Sequence, residues 1–204
     1  MTIQVTGRPE LDQQLTENPF ALLTAMLLDQ QVSMEKAFEG PWVITRRLAE
    51  SGANFDPATV AEFDPEDFAT LCSRKPAVHR FPGAMAKRIQ TLAEVVLRDY
   101  GGDAGRVWAD PGDANEVLAR IRRLPGFGEG KAKIFLALIG KQLRIRPVGW
   151  EDAVGAYGDP DAYQSVADVT DAESLAKVRA YKKEQKAAAK GGAGAVRKST
   201  PGSS

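Results

Sequence analysis

The chain has 204 residues, 43% of them hydrophobic, with 27 cations balanced by 27 carboxylates, a composition typical of a globular protein with a sizeable core. Its first residues lack a signal-peptide pattern and no apolar run is long enough to span a bilayer, so we expect a cytoplasmic monomer without a membrane partner. A single cysteine, Cys72, excludes an internal disulfide and a four-cysteine zinc or iron–sulfur site.

Helical patterns recur along the chain and predict an all-α fold. In the first half, Asn18 is a candidate cap with Pro19 at the first helical position, and the pair Gly40-Pro41 predicts a break before a second helix that starts at Trp42. The pairs Asp56-Pro57 and Asp64-Pro65 repeat the same start signal and predict two short helices.

In the second half, a longer helix is predicted from the spacing of its apolar residues, ending at Gly101-Gly102. Two helices then flank the segment LPGFGEGKAK at 124–133, RIRPVGW at 144–150 has an extended pattern, and a last helix begins after Thr170 or Asp171. We predict one helical domain over residues 1–188 and a low-complexity, disordered basic tail over 189–204.

Charge is segregated despite the net balance. Residues 68–93 contain five cations and no acid, and residues 118–150 contain eight cations against the single acid Glu129. From residue 182 to the end the net charge is +5, which leaves −5 on the rest. This distribution predicts a basic face for phosphate contacts, although solvated helix surfaces give similar clusters and a basic tail can serve solubility as well as counterion release.

The segment LPGFGEGKAK asks for a turn with unusually bare backbone. Gly126 and Gly128 permit positive φ and close approach of a ligand, while Phe127 can anchor the turn in the core. The exposed amides from Gly126 to Gly130, at the start of a helix, would form an anion site that holds a phosphate without reading sequence. The hairpin, which we place within 120–142, could instead be a purely structural connector between two helices.

The pattern Leu-Pro-Gly-apolar-Gly followed by a helix resembles the helix-hairpin-helix motif. Together with LLTAMLLDQQVSMEKA near the N-terminus and KRIQTLAEVV about forty residues before the hairpin, it resembles the helix-hairpin-helix (HhH-GPD) superfamily of base-excision DNA glycosylases over roughly residues 18–180. The resemblance implies two helical lobes with a cleft between them. It also implies double-stranded DNA as partner, with a damaged nucleotide flipped out of the stack.

The resemblance assigns DNA contacts to specific residues. Gln31, with Gln30 beside it, takes the position of a side chain that fills the space left by the flipped nucleotide, unless both are solvated residues at a helix end. The remaining predicted contacts are hairpin residues and neighbouring cations, namely Gly126, Phe127, Gly128, Gly130, Lys131, Lys133, Arg123, Lys87 and Arg88.

Two departures from the family pattern bear on catalysis. Members that also cut the backbone carry a lysine where this chain has Gly130, and Lys131 lies about 100° further around the helix, so Schiff-base chemistry is not expected. The family's catalytic aspartate would fall at Val148 to Trp150, so a small insertion is needed to bring Asp152, or else Glu151, to the cleft. Either acid could instead be an ordinary residue at a helix start.

Other expectations concern the base pocket and bound ions. Trp150, Trp42 and His79 are candidates for stacking on a base, although each could belong to the core. The family's iron–sulfur cluster is excluded by the single cysteine, and no cofactor is required. A monovalent cation, sodium or potassium, could bind the main-chain carbonyls of Leu124 and Phe127.

Three functional hypotheses follow. The first is a monofunctional DNA glycosylase that hydrolyses the N-glycosidic bond of a damaged base, associated with the nucleoid if the source is a prokaryote. The second is a non-catalytic helix-hairpin-helix DNA-binding protein that has lost the aspartate. The third is an unrelated helical interaction domain. Steep salt dependence of DNA binding separates the first two from the third, and base release separates the first from the second.

Overall fold

The computed structural model describes residues 2–109 and 112–195, and within these ranges the chain is entirely helical, which confirms the predicted all-α class. The ten α-helices are α1 (Pro9–Glu17), α2 (Pro19–Leu28), α3 (Met34–Ala49), α4 (Pro57–Glu62), α5 (Pro65–Ser73), α6 (Pro82–Tyr100), α7 (Ala114–Arg122), α8 (Glu129–Gln142), α9 (Trp150–Val154) and α10 (Ala172–Ala195). Three short 3₁₀ helices lie at Ala104–Val107, Gly155–Gly158 and Val166–Asp168. None of the helices in the described ranges is long and apolar enough to cross a membrane.

Three predicted helix starts are confirmed by individual hydrogen bonds. The side chain of Asn18 accepts from the main-chain N–H of Ala21 at 3.0 Å, so it caps α2 ahead of Pro19. Asp56 and Asp64 cap α4 and α5 in the same way. At the other end of α6, Gly101 adopts the left-handed conformation at φ 63°, which ends the helix where the glycine pair predicted.

The predicted break at Gly40-Pro41 is wrong, because α3 continues through both residues. A Cβ on Gly40 would lie 2.4 Å from Leu28 Cδ1, so the glycine lets α3 approach α2 closely. Proline inside a helix costs about 3 kcal/mol. Burial of Phe38, Ile44 and Leu48 on the same helix outweighs that cost.

Two other segments differ from expectation. The extended pattern at 144–150 pairs with no strand among the described residues; Ile145 N–H bonds to Ile139 O at 3.2 Å, so the chain doubles back along α8. Helix α10 continues to Ala195 and so runs into the tail predicted from residue 189. Residues 196–204 lie outside the described part of the chain.

Helix packing places the hairpin at one end of an antiparallel pair. Helix α8 packs against α7, α9 and the 3₁₀ helices at 155–158 and 166–168, while α6 packs against α2, α4 and α5. Helix α2, which is buried from Phe20 to Leu28, also contacts α1 and α3, and the apolar side chains of these helices form one continuous core. The segment between α7 and α8 reaches the end of α2, where a Cβ on Gly126 would lie 2.4 Å from Leu27 Cδ1.

Candidate nucleic-acid interface

The hairpin between α7 and α8, residues 124–130 including the first residues of α8, is anchored by its aromatic residue. Phe127 is 3% exposed and packs edge-on against Phe135 with ring centroids 6.0 Å apart. Its main-chain N–H donates to Leu124 O at 3.1 Å, which closes the turn. The predicted role of Phe127 as the buried anchor is confirmed, and its contribution to any DNA contact comes from backbone alone.

The glycines of the hairpin differ in what they do. Gly126 has φ 82°, and a Cβ there would lie 2.4 Å from Leu27 Cδ1, so both conformation and space require glycine. Gly128 has an ordinary φ of −75°, and neither it nor Gly130 would bring a Cβ within 4 Å of another group. Positive φ, predicted as possible at both hairpin glycines, is used only at Gly126, while Gly128 leaves open space in front of the backbone.

The amides of the hairpin belong to residues at the protein surface. Gly126, Gly128, Glu129 and Gly130 are all exposed, and their N–H groups find no acceptor within the described ranges. The first main-chain bond of α8 is Ala132 N–H to Gly128 O, at 2.9 Å. Unbonded amides and the positive end of the α8 dipole therefore coincide, which is the arrangement that attracts a phosphate.

Lys131 ties this hairpin to the end of α2. Its ammonium donates to Met26 O at 2.6 Å and to Leu27 O at 3.3 Å, two of the last four carbonyls of α2, and Leu27 O also accepts from the side chain of Gln30. Burial lowers the pKa of Lys131, with the nearby positive charge of Arg88 acting in the same direction and Asp29 opposing both. The side chain predicted to contact DNA is thus engaged inside the protein, where it fixes the hairpin against the loop that follows α2.

That loop, residues 29–33, carries the two predicted glutamines, which the structure separates in role. Gln30 is committed internally: its Nε2 donates to Leu27 O at 2.7 Å, and its Oε1 accepts from Arg88 Nη1 at 2.8 Å. Gln31 is exposed and has φ 58°, an uncommon conformation for a residue with a side chain. Gln31 is therefore the glutamine that is presented to solvent beside the hairpin.

His79 links two loops by hydrogen bonds. The ring is 3% exposed, its Nε2 bonds Gln30 O at 2.7 Å, and its Nδ1 accepts from Phe81 N–H at 3.0 Å. A carbonyl can only accept, so the proton lies on Nε2, and one neutral tautomer satisfies both bonds. His79, predicted as a base-stacking candidate, instead holds residues 79–81 against the glutamine loop.

Phe81 is a residue that sequence reasoning missed. It is 46% exposed, one of three large hydrophobic side chains so exposed in the described ranges, and Arg80 lies over its ring at 5.3 Å. An exposed aromatic next to cations is typical of proteins that stack on nucleobases. The available signal was a phenylalanine between Arg80 and Pro82 in an acid-free segment, just ahead of a helix.

The cations near the hairpin are partly neutralised. Arg123, Lys87 and Arg88 are exposed, as expected for phosphate contacts. Lys133, also predicted to contact DNA, pairs with Glu129 at 3.1 Å, and Arg122 pairs with the same carboxylate at 3.0 Å. The one acid of this basic segment therefore lies directly beside the bare amides.

The predicted catalytic acids lie elsewhere. Glu151 and Asp152 are exposed on α9, and Ala114 N–H, at the start of α7, bonds to Val148 O at 2.9 Å. The hairpin joins the end of α7 to the start of α8. Because Val148, just before α9, is bonded to the start of α7, α9 lies at the end of this helix pair that is away from the hairpin. No recorded bond within the described residues connects either acid to the hairpin or to Gln31.

The tryptophans contribute mainly to packing. Trp150 is 2% exposed, its indole N–H donates to Leu136 O at 3.0 Å, and Arg146 covers it at 4.5 Å. A Cβ on Gly140 would lie 2.2 Å from the indole nitrogen, so the ring fills the groove made by that glycine. Its prediction as a base-pocket residue is therefore corrected to a core role, whereas Trp42 is half-buried on α3.

A cleft lies beside Gln31. Residues 29–35 form one wall, α10 from Val178 onward forms the other, and the volume is about 880 Å³. The cleft is large enough for a nucleoside-sized ligand. Asp29, Gln31 and Glu35 line the loop side, and Arg179 and Lys182 line the helix side.

No group of three or more acidic, histidine or cysteine side chains suited to a metal occurs in the described part of the chain. Leu124 O already accepts the Phe127 N–H, leaving one lone pair for a cation of the kind expected there. Cys72 is buried, which raises the pKa of its thiol to about 12. The chain matches no known family model, and no curated protein was found to be similar to it.

Proposed function

We propose that this protein binds double-stranded DNA through the hairpin and acts in base-excision repair as a monofunctional DNA glycosylase. The observation that carries the proposal is the row of exposed amides at Gly126 and Gly128 to Gly130 without internal acceptors. Unbonded N–H groups at the start of a helix, together with the positive end of its dipole, provide a binding site for an anion.

Three features beside the hairpin favour duplex DNA over a small phosphate compound. Gln31 is held in a left-handed backbone, Phe81 is exposed and rigidly bracketed by His79, and Arg88 stands between their loops through its bond to Gln30. A polar side chain and an aromatic presented together suit insertion at a site from which a nucleotide has been extruded. We interpret the α2–α6 and α7–α10 helix groups as two lobes around such a site.

Hydrolysis rather than backbone cleavage is the favoured chemistry. Gly130 occupies the place where lyases of the resembled family carry lysine, and the Lys131 ammonium is bonded to two carbonyls of α2. Water is then the nucleophile, and no cofactor enters the reaction. A sodium or potassium ion on the carbonyls of Leu124 and Phe127 would at most assist phosphate binding.

A non-catalytic DNA-binding protein is the second candidate. The position of Asp152 and Glu151 on α9, away from the hairpin end of α8, favours it over a glycosylase that depends on either acid. Both candidates share the hairpin and differ only in whether a carboxylate serves the reaction.

DNA binding is tested by placing a negative charge in front of the amides. Gly128→Asp puts a carboxylate into space that is open in the structure, and Ala156→Asp makes the same charge change on an exposed residue after α9. We expect Gly128→Asp to weaken binding of a fluorescent duplex about tenfold or more, a loss of about 1.4 kcal/mol. Ala156→Asp should stay within about twofold of wild type.

The salt dependence and product analysis complete the test. Wild-type affinity should fall steeply with added salt, with a slope that reflects several phosphate contacts. Release of free base from duplexes carrying uracil, alkylated or oxidised bases supports the glycosylase, whereas tight binding without release from any of them supports the second candidate. Equal affinity of wild type and Gly128→Asp would contradict the hairpin as the grip.

A further inference from the structure

The cleft of about 880 Å³ beside Gln31 is lined by the loop that follows α2, and the end of α2 in turn contacts the hairpin. Gly126 packs on Leu27, and Lys131 binds the carbonyls of Met26 and Leu27. Asp29 follows Leu27 by two residues and is held at the end of α2 by its own N–H bond to Ala25 O, at 3.1 Å. A strand gripped at the hairpin is therefore close to the mouth of this cleft.

Two carboxylates line the cleft, and they differ in how firmly they are paired. Glu35 is hydrogen-bonded to Arg179 of α10. Asp29, whose side chain is 18% exposed, has as its nearest paired cation Lys182, at 4.0 Å. The loosely held carboxylate is thus the one nearer to the hairpin.

We propose that Asp29 is the catalytic carboxylate of this protein, acting on the sugar of a nucleotide extruded into the cleft; this inference rests on the proposed function. The bond between the sugar C1′ and the base nitrogen breaks, and its electron pair leaves with the base, which gains a proton from solvent. The sugar is left as an oxocarbenium cation that the negative charge of Asp29 stabilises. A water oxygen adds to C1′ and gives its proton to Asp29, yielding the free base and an abasic sugar.

This assignment resolves the difficulty with α9. Asp152 lies on α9, at the end of the α7/α8 pair away from the hairpin, whereas Asp29 lies on the loop that carries Gln31. The hydrogen bond from Lys131 to Met26 O at the end of α2 would then hold the hairpin amides at a fixed distance from Asp29.

The test compares two duplexes that differ only at one sugar. One carries a tetrahydrofuran abasic analogue, which is neutral, and the other carries a pyrrolidine analogue, whose protonated ring nitrogen mimics the sugar cation. A carboxylate at 4 to 6 Å favours a cation by about tenfold or more. Wild-type protein should therefore bind the pyrrolidine duplex at least about tenfold more tightly than the tetrahydrofuran duplex.

The variants are Asp29→Asn and Asp29→Ser, with Glu35→Gln and Asp152→Asn as matched charge-removal controls. Both Asp29 variants should lose the preference for the pyrrolidine duplex while keeping the wild-type affinity for the neutral one, and both controls should keep the preference. Two substitutions at Asp29 guard against one that disturbs folding, and the wild-type preference is informative without any variant.

The outcomes separate the two levels of the proposal. If wild type binds neither duplex, the proposed function and this inference both fail. If wild type binds both equally, or if the preference disappears in Asp152→Asn and persists in Asp29→Asn, DNA binding stands and the assignment to Asp29 is overturned.

Discussion

The two ends of the α7/α8 pair contrast sharply. At the hairpin end, main-chain amides are exposed and unbonded, and the glycine that shapes the turn is seated against Leu27. At the end where α7 begins, Val148 O is bonded to Ala114 and the nearby Trp150 is packed into α8, leaving the acids Glu151 and Asp152 in solvent. One end has unbonded backbone groups available for a ligand, whereas at the other end Val148 O and the indole N–H of Trp150 are bonded within the protein.

This difference teaches that the two ends serve different purposes. Unsatisfied polar groups are costly when buried and inexpensive when hydrated, so their exposure at the hairpin is compatible with stability and leaves them free for binding. The Trp150 end has the opposite character, with a large aromatic that stabilises the fold. Substitutions at the two ends should therefore separate effects on stability from effects on the proposed binding of DNA.

The largest expected effect is on stability, at the Trp150 end. Trp150→Ala removes a fully packed indole and its hydrogen bond to Leu136 O, which should cost about 3 to 5 kcal/mol of unfolding free energy. Urea denaturation followed by circular dichroism measures it. Trp42→Ala, at a half-buried position, is the matched control and should cost distinctly less. Similar losses in both would contradict a core role specific to Trp150.

At the hairpin end, the two glycines should respond differently to the same change. Gly126→Ala forces a Cβ against Leu27 and into a left-handed conformation, and it should destabilise the protein by about 1 to 3 kcal/mol. Gly128→Ala meets no atom within 4 Å at an ordinary φ and should change stability by less than about 0.5 kcal/mol. Thermal melting distinguishes the two, and equal melting temperatures would show that Gly126 is not required by the turn.

Structural features that depend on residues close together in the sequence could be predicted from it, whereas features that depend on tertiary contacts could not. Caps such as Asn18, and the turn around Gly126, are set by residues a few positions apart, and the pattern predicted them. Helix α3 was broken at Pro41 in the prediction because the compensating contact, Gly40 against Leu28, is tertiary. Tertiary packing therefore outweighed the local helix-breaking signal of the Gly40-Pro41 pair.

The site divides in the same manner. The exposed amides follow from the local spacing of glycines, so their position could be predicted. The internal bond of Lys131 to α2 and the exposure of Phe81 depend on which distant segments meet, with Lys131 and Met26 separated by 105 positions. Asp152 was predicted as the catalytic acid from its spacing to the hairpin in the family pattern. That spacing does not show how the chain turns back after α8.

An aromatic substitution tests whether the proposed DNA-binding surface extends beyond the hairpin to Phe81. Phe81→Ala should leave stability nearly unchanged, since the side chain is 46% exposed, and it should weaken duplex binding about tenfold if the ring stacks on a base. Val148→Ala is the control at the opposite end of α7/α8, where the side chain is 81% exposed. Fluorescence anisotropy measures both affinities. A loss in Val148→Ala equal to that in Phe81→Ala would abolish the distinction between the two ends.

A smaller effect concerns Lys131 and has a definite sign with pH. Burial lowers the pKa of Lys131 in the folded protein below about 10.5, so the unfolded chain holds this proton to higher pH. Between the folded pKa and 10.5 the unfolded state binds more protons, and stability from this group therefore rises as pH increases. The unfolding free energy of wild type minus that of Lys131→Met should increase across this alkaline window. A difference that falls with pH would mean that the carbonyls of α2 stabilise the charged form more than burial opposes it.

The smallest expected effect is a gain of affinity. Glu129 places a carboxylate beside the bare amides and pairs with Arg122 and Lys133, all three being partly exposed, so Glu129→Gln should remove repulsion toward phosphate and release both cations. Surface pairs of this kind are worth less than about 1 kcal/mol, so duplex binding should tighten about two- to fivefold at low salt and less at high salt. Glu151→Gln makes the same charge change on α9 and should alter affinity far less, because the distance from the hairpin allows salt to screen it. If both substitutions tighten binding equally, net charge rather than the local field at the hairpin controls the association.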